Sequence, residues 1–252
     1  MRAEFLGVPI DILSLTETVD LANRSMSQRQ RCQHVALNVA KFVKMRRQPE
    51  LWRDVVDSDI VGIDGMGILW GCRLLGVNAH ERVAGIDLFK EILGLCNRGE
   101  FRPFFLGATD RVLQKMIFNL RSEYPNLQIA GWHNGYFGPE DDAGVVDSIR
   151  HSGADCLFLG LPTPRKERLL AQYKDDFGVP FIMGVGGSFD VLAGAVHRAP
   201  RWMQNAGLEW FYRAYQEPRR MLWRYFSTNV LFANLLAKEL AGRALKSVLW
   251  ML

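Results

Sequence analysis

An aspartate in a glycine-rich turn offers the clearest chemistry in this sequence. In the run 62–67, Asp64 follows a short apolar segment and precedes a helical pattern that starts near Ile68. A carboxylate at such a turn could act as a general base, while Gly65 and Gly67 would let a substrate approach the backbone. The same carboxylate could instead only cap the helix that follows. The glycine order matches neither GxGxxG nor a P-loop, so it indicates neither a dinucleotide site nor a P-loop phosphate site.

Two basic residues follow a very apolar run. Arg165 and Lys166 come directly after Pro164, a residue that suits the first turn of a helix. In that position the two cations could meet a phosphate group. They could equally be solvated residues at an ordinary junction between a loop and a helix.

A second glycine-rich turn and two isolated polar residues are the remaining candidates for binding a ligand. Gly186 and Gly187, within the run 184–190, could wrap a phosphate or a base with backbone groups, or could serve only as a tight turn with positive φ. Asn38 follows an apolar run near the N-terminus, and Arg82 stands in a short polar segment. An exposed arginine is usually only solvated, so Arg82 alone indicates little. Together these residues predict a crevice that binds an anion, without naming it.

The elements that must position these residues alternate between strands and helices. Short apolar runs predict strands at His34–Leu37, Asp59–Ile63, Pro103–Gly107, Leu127–Gly131, Cys156–Leu161 and Pro180–Val185. Amphipathic segments predict helices at Gly85–Arg98, Asp110–Tyr124, Glu140–Ser152 and Pro164–Phe177. This alternation implies an α/β fold, a Rossmann-like parallel sheet with helices on both faces. Because ligands of such sheets bind beyond the carboxyl ends of the strands, we expect the three loops at one edge.

Strand signals stop after Asp190, and a domain boundary is therefore expected near residue 195. Residues 1–195 would form the α/β domain and residues 196–252 a helical appendage. The whole chain carries a formal net charge of +4, yet residues 191–252 hold nine basic and three acidic residues, a net charge of +6. The rest of the chain then has a net charge of −2, and ten of the 28 aromatic residues fall in this C-terminal stretch.

The C-terminal stretch leaves three interpretations open. Basic and aromatic residues interleaved on a helical pattern suit an anionic lipid surface, nucleic acid, or a helix packed on the core with a solvated basic face. No nucleic-acid motif is present, and no run approaches about 18 uncharged apolar residues, so neither nucleic-acid binding nor a spanning helix is expected. The four cysteines lack zinc or disulfide spacing, which favours a reduced, intracellular compartment and no metal site.

Motifs along almost the whole chain resemble the WecG/TagA/CpsF family of bacterial glycosyltransferases. They include Asp64-Gly65-Met66-Gly67, Glu81-Arg82-Val83-Ala84-Gly85 and Pro164-Arg165-Lys166-Glu167. The most specific part is the C-terminal run Arg198-Ala199-Pro200-Arg201-Trp202-Met203-Gln204, Gly207-Leu208-Glu209-Trp210 and Glu217-Pro218-Arg219-Arg220. The chain is accordingly identified as a member of this family.

The resemblance implies an inverting transferase that moves a hexose or N-acetylhexosamine from a UDP-sugar to a polyprenyl-diphosphate-linked sugar. Such products enter cell-surface polysaccharides or exopolysaccharides. Family members are peripheral proteins at the cytoplasmic face of the bacterial inner membrane, and the appendage is expected to dock on that anionic surface. The family can form homo-oligomers. The resemblance implies neither a metal nor a cofactor, and the UDP-sugar is the donor substrate.

The resemblance also implies roles for individual residues. Asp64 aligns with the proposed general base of the family, and Arg82 with a pocket arginine that would bind the acceptor diphosphate or UDP. The residues expected to bind substrate are Asn38, Gly65, Gly67, Arg165, Lys166, Gly186 and Gly187. Those expected to bind membrane lipid or the acceptor diphosphate are Arg213, Arg219, Arg220 and Arg224.

Two departures from the family pattern bear on the donor sugar. The family often has Thr-Pro-Asn where this chain has Ala36-Leu37-Asn38, and a glutamine where it has Lys166. A neutral amide binds sugar hydroxyls or an acetamido group, whereas an ammonium prefers a phosphate or a carboxylate. We therefore expect a donor other than N-acetylmannosamine, such as glucose or a uronic acid. The alternative functions are a UDP-sugar-binding protein without transfer activity and a non-catalytic scaffold of a membrane polysaccharide assembly complex.

Overall fold

Strands and helices alternate along the chain. A computed structural model describes residues 1–99 and 101–249, without the side chains of residues 220, 221 and 245–249. The strands are β1 (Arg2–Phe5), β2 (Val8–Asp11), β3 (Cys32–Leu37), β4 (Ile60–Ile63), β5 (Pro103–Gly107), β6 (Gly131–His133), β7 (Cys156–Gly160) and β8 (Phe181–Gly184). The helices are α1 (Leu15–Gln28), α2 (Val39–Met45), α3 (Pro49–Val56), α4 (Met66–Leu74), α5 (Gly85–Gly99), α6 (Asp110–Glu123), α7 (Asp142–His151), α8 (Arg165–Gln172), α9 (Ser188–Leu192), α10 (Arg201–Asn205), α11 (Glu209–Gln216) and α12 (Pro218–Leu249).

The eight strands form one sheet in the order β1-β2-β4-β3-β8-β7-β5-β6. The N-terminal pair β1 and β2 runs antiparallel, and the six other neighbouring pairs are parallel. In β5 and β7 buried residues stand at consecutive positions, as a sheet that is covered on both faces requires. The predicted α/β fold with a mostly parallel sheet is therefore confirmed.

Helices cover both faces of the sheet. Successive residues of a strand point to opposite faces, so apolar residues at consecutive positions need helices on both sides. On one face Phe105 and Phe158 pack with Phe89 of α5, whose ring centroid lies 4.5 Å from that of Phe158. On the other face Leu106 and Leu157 pack beneath α7 and α8. Helix α3 packs on α8 on this second face, whereas α9 packs on α6 on the first. The chain thus leaves β3 and β8 toward opposite faces, which opens a crevice at their carboxyl ends.

The edge strand differs from the sequence-based expectation. The run 127–131 is predicted as a strand, but β6 pairs with β5 only from Gly131 onward. Leu127 and Ile129 instead pack on the core from an irregular segment. The prediction was wrong here because an apolar run indicates burial, which does not require pairing to a neighbouring strand.

Two further features differ from the sequence patterns. The hairpin of β1 and β2 was not predicted; its turn residues Leu6 and Gly7 both have positive φ, and a leucine there is not a usual turn signal. The helix predicted at 164–177 ends at Gln172, although the buried Phe177 continues its apolar pattern. Both differences arise because tertiary packing overrode the local sequence preference.

Helix α12 lies across α2 and completes the core on that side. Phe232 and Leu236 are buried beside Phe5 and Phe42, and the ring centroids of Phe42 and Phe232 are 5.7 Å apart. Gly71 of α4 lies against the same rings, since a β-carbon there would come within 3.1 Å of Phe232. Part of the predicted appendage therefore contributes to the core, and the division near residue 195 stays a prediction.

Candidate active site at the carboxyl edge of the sheet

Asp64 leaves the end of β4 with its carboxylate held in place. Its main-chain N–H donates to the Leu37 carbonyl at 3.0 Å, and its Oδ1 accepts a hydrogen bond from the N–H of Gly85 at 2.8 Å. Gly85 starts α5, so the carboxylate lies at the positive end of that helix. Gly65 is the N-cap residue of α4 and no side chain caps that helix, so the capping alternative was wrong. Among the described residues, the Oδ2 atom of Asp64 has no protein partner.

Gly65 and Gly67 bring the start of α4 against the exit of β3. A β-carbon on Gly67 would come within 2.6 Å of Val39 Cγ2, and one on Gly65 within 3.4 Å of Asn38 Cβ. Asn38 caps α2, where its Oδ1 accepts a hydrogen bond at 3.0 Å from the main-chain N–H three residues later. The glycines thus place Asn38 beside the turn that carries Asp64, and the amide N–H groups of Asn38 have no partner among the residues that the structure describes.

Arg82 is engaged by the C-terminal part of the chain. Its Nη1 and Nη2 both donate to Glu209 Oε2 at 3.1 Å, and Nη2 also reaches the Gln204 carbonyl at 3.4 Å. The other oxygen of Glu209 pairs with Arg198, whose two-point ion pair with Asp87 raises the pKa of the arginine. Arg82 therefore anchors α10 and α11 to the sheet, and a diphosphate at this guanidinium would have to share it with Glu209.

We expect Glu209→Gln to lower the free energy of unfolding by about 1.5–3 kcal/mol, because it removes a carboxylate that accepts hydrogen bonds from two charged guanidinium groups. Urea unfolding followed by circular dichroism measures the change. The matched control is Glu239→Gln, since Glu239 pairs with Arg243 on the exposed side of α12 and such pairs contribute about 0.3–0.5 kcal/mol. Equal effects of the two variants would contradict the anchoring role.

A buried cluster of charges lies at the exits of β3 and β7, beside the end of β8. Lys166 Nζ donates to Thr163 Oγ1 at 2.9 Å and contacts Glu167 Oε1 at 3.1 Å. Lys41 Nζ, from α2, approaches the same Oε1 at 2.9 Å, and Lys44 Nζ donates to the Thr163 carbonyl at 2.7 Å. Three lysines from two helices therefore converge on one loop and one carboxylate.

Burial and mutual charge set the protonation of this cluster. Burial, together with the charge of Lys41, lowers the pKa of Lys166 to about 8. Burial alone would raise the pKa of Glu167, yet Lys41 and Lys166 hold it at about 2. At neutral pH Glu167 is therefore ionised and Lys166 is mostly protonated, which makes the cluster suited to an anion.

The other predicted binding residues are more dispersed. Arg165 forms a two-point ion pair with Asp142 and stacks on Phe137, with its guanidinium carbon 5.3 Å from the ring centroid. Gly186 has a φ of +55° with open space around it, and Gly187 is the exposed residue before α9. The two glycines present main-chain groups at the exit of β8, whereas the guanidinium of Arg165 is engaged by α7.

The arginines of the appendage lie at different depths. The charge of Arg224, on α12, lowers the pKa of Lys166 by less than burial and the charge of Lys41 do. Arg213 is half-buried on α11, and Arg219 is exposed at the start of α12. The side chain of Arg220 lies outside the described residues.

Sequence reasoning did not single out Lys41, Glu167 or Glu209. Lys41 and Lys44 stand three residues apart on α2, the spacing that puts two side chains on one helix face, so a basic pair after β3 was an available signal. Nothing in the sequence links Glu209 to Arg82, which stands 127 residues earlier.

Together these contacts define the class of protein. A carboxylate fixed at one strand exit, with buried cations at the neighbouring exits, is the arrangement of an α/β enzyme with a crevice for an anionic substrate. Residues 3–246 match the model of the glycosyl transferase WecG/TagA/CpsF family. The chain therefore belongs to this family and is a glycosyltransferase, as its motifs predict.

Two relatives share much of the chain. The N-acetylglucosaminyldiphosphoundecaprenol N-acetyl-beta-D-mannosaminyltransferase of Bacillus subtilis is 37% identical over 182 residues, which cover 72% of this chain and 70% of the relative. A protein of the same name from Bacillus spizizenii is 35% identical over 167 residues, which cover 66% of this chain and 63% of the relative. The match thus spans less than two thirds of the second relative. By their names, both relatives act on a lipid-linked diphosphate sugar.

Proposed function

We propose that this protein is an inverting glycosyltransferase that moves a hexose or N-acetylhexosamine from a UDP-sugar to a polyprenyl-diphosphate-linked sugar. The product would enter a cell-surface polysaccharide or exopolysaccharide. The observation that carries the proposal is the Asp64 carboxylate, which the N–H of Gly85 fixes through Oδ1 and which keeps Oδ2 for a proton. The names of the two relatives support the lipid-linked acceptor.

The proposed step needs a base at the acceptor hydroxyl. Asp64 takes the proton as the acceptor oxygen bonds to the anomeric carbon, on the face opposite to the UDP oxygen whose bond breaks. UDP leaves with the electron pair of that bond, so its diphosphate gains charge and needs N–H donors or cations. The main-chain groups of Gly186 and Gly187, with Arg219 and Arg224 of α12, are our candidates for this stabilisation.

Exposed aromatic side chains on the C-terminal helices support docking on a membrane. Trp223 and Phe226 are 74% and 64% exposed on α12, and Trp202 is exposed on α10. Arg219 and Arg224 stand on the same stretch of α12, and rings beside arginines suit the headgroup region of an anionic bilayer. None of the helices in the described part of the chain has the length and hydropathy needed to cross a bilayer. We place the protein, as a peripheral protein, at the cytoplasmic face of the inner membrane.

Replacing both Trp223 and Phe226 by serine is expected to weaken binding to anionic vesicles at least about tenfold, since a fully buried apolar side chain contributes about 1.5–3 kcal/mol. Co-sedimentation with phosphatidylglycerol vesicles measures the change. Phe118→Ser is the control, because Phe118 is 68% exposed on α6, outside the appendage. Equal losses in both proteins would argue against the proposed docking face.

Release of UDP tests the proposed activity. The protein is incubated with a panel of UDP-sugars and a short-chain lipid-diphosphate-sugar acceptor, on anionic vesicles, with and without a chelator. We expect release that depends on the acceptor and persists with the chelator. Binding of UDP without release in every condition would favour the non-catalytic scaffold.

Deleting residues 196–252 would not distinguish a transferase from a scaffold, because the loss of Phe232 and Leu236 would uncover the core.

A further inference from the structure

A groove between α6 and the edge strand β6 lies outside the candidate active site. It has a volume of about 610 Å³ and is lined by Gln114, Ile117, Phe118, Arg121, Ser122 and Trp132. Phe118 and Trp132 are 68% and 45% exposed, so two aromatic rings border an open groove. Single exposed apolar residues are ordinary, whereas large apolar side chains gathered at one place mark a binding surface.

The helix that borders the groove presents cations beside an aromatic ring. At intervals of three or four residues, one exposed face of α6 carries Arg111, Lys115, Phe118 and Arg121. Lys115 Nζ lies 5.0 Å from the centroid of the Phe118 ring. Within the described part of the chain none of these cations pairs with a carboxylate, and no acidic side chain lines the groove. The groove is therefore suited to a ligand with negative charge.

The outer edge of β6 has main-chain groups that remain unpaired. Among the described strands β6 is the last of the sheet, and its neighbour is β5. The N–H of Ala130 donates to the Pro103 carbonyl at 2.9 Å, so Ala130 and, two residues later, Trp132 direct their main-chain groups toward β5. Gly131 and His133 direct theirs outward, where the described residues offer no main-chain partner. Such an edge can pair with a strand from another chain.

The Trp132 ring lies on the face of the sheet that α6 covers. Trp132 stands opposite Phe105 in the ladder, and Phe105 packs in the core on that face. A strand added beside β6 would therefore direct every second side chain toward the rings of Phe118 and Trp132. The positions two residues before and after such a side chain would face the cations of α6.

We propose that this groove binds an extended segment of a partner protein, in which a large apolar residue has acidic residues two positions away. The segment pairs with the outer edge of β6, and its apolar side chain packs between Phe118 and Trp132. Its carboxylates bind Lys115 and Arg121. Main-chain pairing supplies affinity in this mode of recognition, and the alternate side chains supply specificity. The inference goes beyond sugar transfer and does not depend on it.

Two other partners fit the groove less well. A lipid headgroup could pair with the cations, but it cannot match the N–H and C=O groups of Gly131 and His133. The groove also lies at the opposite end of the strand order from β1 and β2, the side on which α12 packs. A second copy of this chain, with the two β6 edges paired about a two-fold axis, would bring the cations of one α6 close to those of the other.

Short random peptides displayed on phage test the proposal with the full-length protein. We expect selection to enrich peptides that carry a large apolar residue with acidic residues two positions before or after it. Fluorescence anisotropy then measures the Kd of an enriched peptide. Phe118→Ser and Arg121→Glu should each raise this Kd about tenfold or more, because an apolar anchor or a charged contact is lost. The control Arg24→Glu, at an exposed position of α1, should leave it unchanged.

An exchange of charges separates a direct contact from a general effect of charge. The same peptide with lysine in place of its acidic residues should bind Arg121→Glu about tenfold or more tightly than it binds the wild type. Selection that enriches no peptide, or only peptides without acidic residues, would overturn the proposal. A Kd that Phe118→Ser leaves unchanged would overturn it as well.

Two further measurements distinguish the other partners. A wild type that is dimeric by light scattering, with Phe118→Ser monomeric, would assign the groove to a second copy and overturn the proposal. Weaker binding of Phe118→Ser to phosphatidylglycerol vesicles would assign the groove to the membrane and overturn it too. Circular dichroism checks folding, which we expect to be kept because every substituted residue is exposed.

Discussion

Replacing Asp64 by asparagine is expected to slow sugar transfer by about a hundredfold to ten-thousandfold while leaving the affinity for UDP nearly unchanged. The amide has almost the shape of the carboxylate, and its oxygen can still accept the hydrogen bond from the N–H of Gly85. Its nitrogen carries hydrogens and cannot take the proton of the acceptor hydroxyl. The variant therefore removes the base and keeps the turn.

Initial rates of acceptor-dependent UDP release measure the loss of turnover, and calorimetric titration with UDP measures binding. Asp57→Asn is the matched control, because Asp57 lies at the end of α3, away from the carboxyl edge of the sheet, and should not affect the rate. Near wild-type turnover in Asp64→Asn would remove Asp64 from the role of base. A loss of UDP affinity in proportion to the rate would assign it to binding instead.

Glu167→Gln is expected to lower the free energy of unfolding by about 3–5 kcal/mol. The Oε1 atom of Glu167 is the shared partner of Lys41, Lys166 and the hydroxyl of Thr163. Without its charge, two buried ammonium groups would lie close together with no counter-ion. In a chain of this size, the loss corresponds to a fall in Tm of about 10 °C.

The pH dependence of stability gives an independent test of the same carboxylate. Burial would raise the pKa of Glu167, but Lys41 and Lys166 hold it at about 2, below the ordinary value of 4.5. The unfolded state therefore binds more protons than the folded state between these values. The contribution of Glu167 to stability is present above about pH 4.5 and is lost as the pH falls toward 2.

Urea unfolding at intervals from pH 5 to pH 3 should show a steeper loss of stability in the wild type than in Glu167→Gln. Glu50→Gln is the control, since it removes an exposed ion pair with Arg168 and should change the unfolding free energy by less than about 1 kcal/mol. Parallel curves for the wild type and Glu167→Gln would show that Glu167 does not carry this pH dependence.

The central strands could be predicted from the sequence because they are buried on both faces. The segments 103–107 and 156–161 have apolar residues at consecutive positions, a pattern that a half-exposed strand does not show. Helical crossovers make neighbouring strands parallel, so the pattern of strands and helices is enough to place Asn38 and Asp64 at one edge of the sheet. The edge strand β6 could not be placed, because its apolar residues reach the core without pairing.

The roles of single site residues could not be derived in this way. An aspartate before a helix suggests a cap, yet the partner of Asp64 is the N–H of Gly85, 21 residues later. An arginine in a polar segment suggests solvation, yet Arg82 pairs with Glu209 of α11. In each case a contact between distant parts of the chain decides between the two interpretations.

The sequence by itself determined the α/β class, the family and the residue types at the strand exits, because these follow from local patterns of burial and from motifs. Only the tertiary structure decided which charges meet. Lys41 and Glu167 come together because β8 pairs with both β3 and β7, the strands that carry α2 and α8 to the same edge. Hydrogen bonds and ion pairs depend on distances in space, so the excess positive charge around Glu167 follows from the pairing of strands.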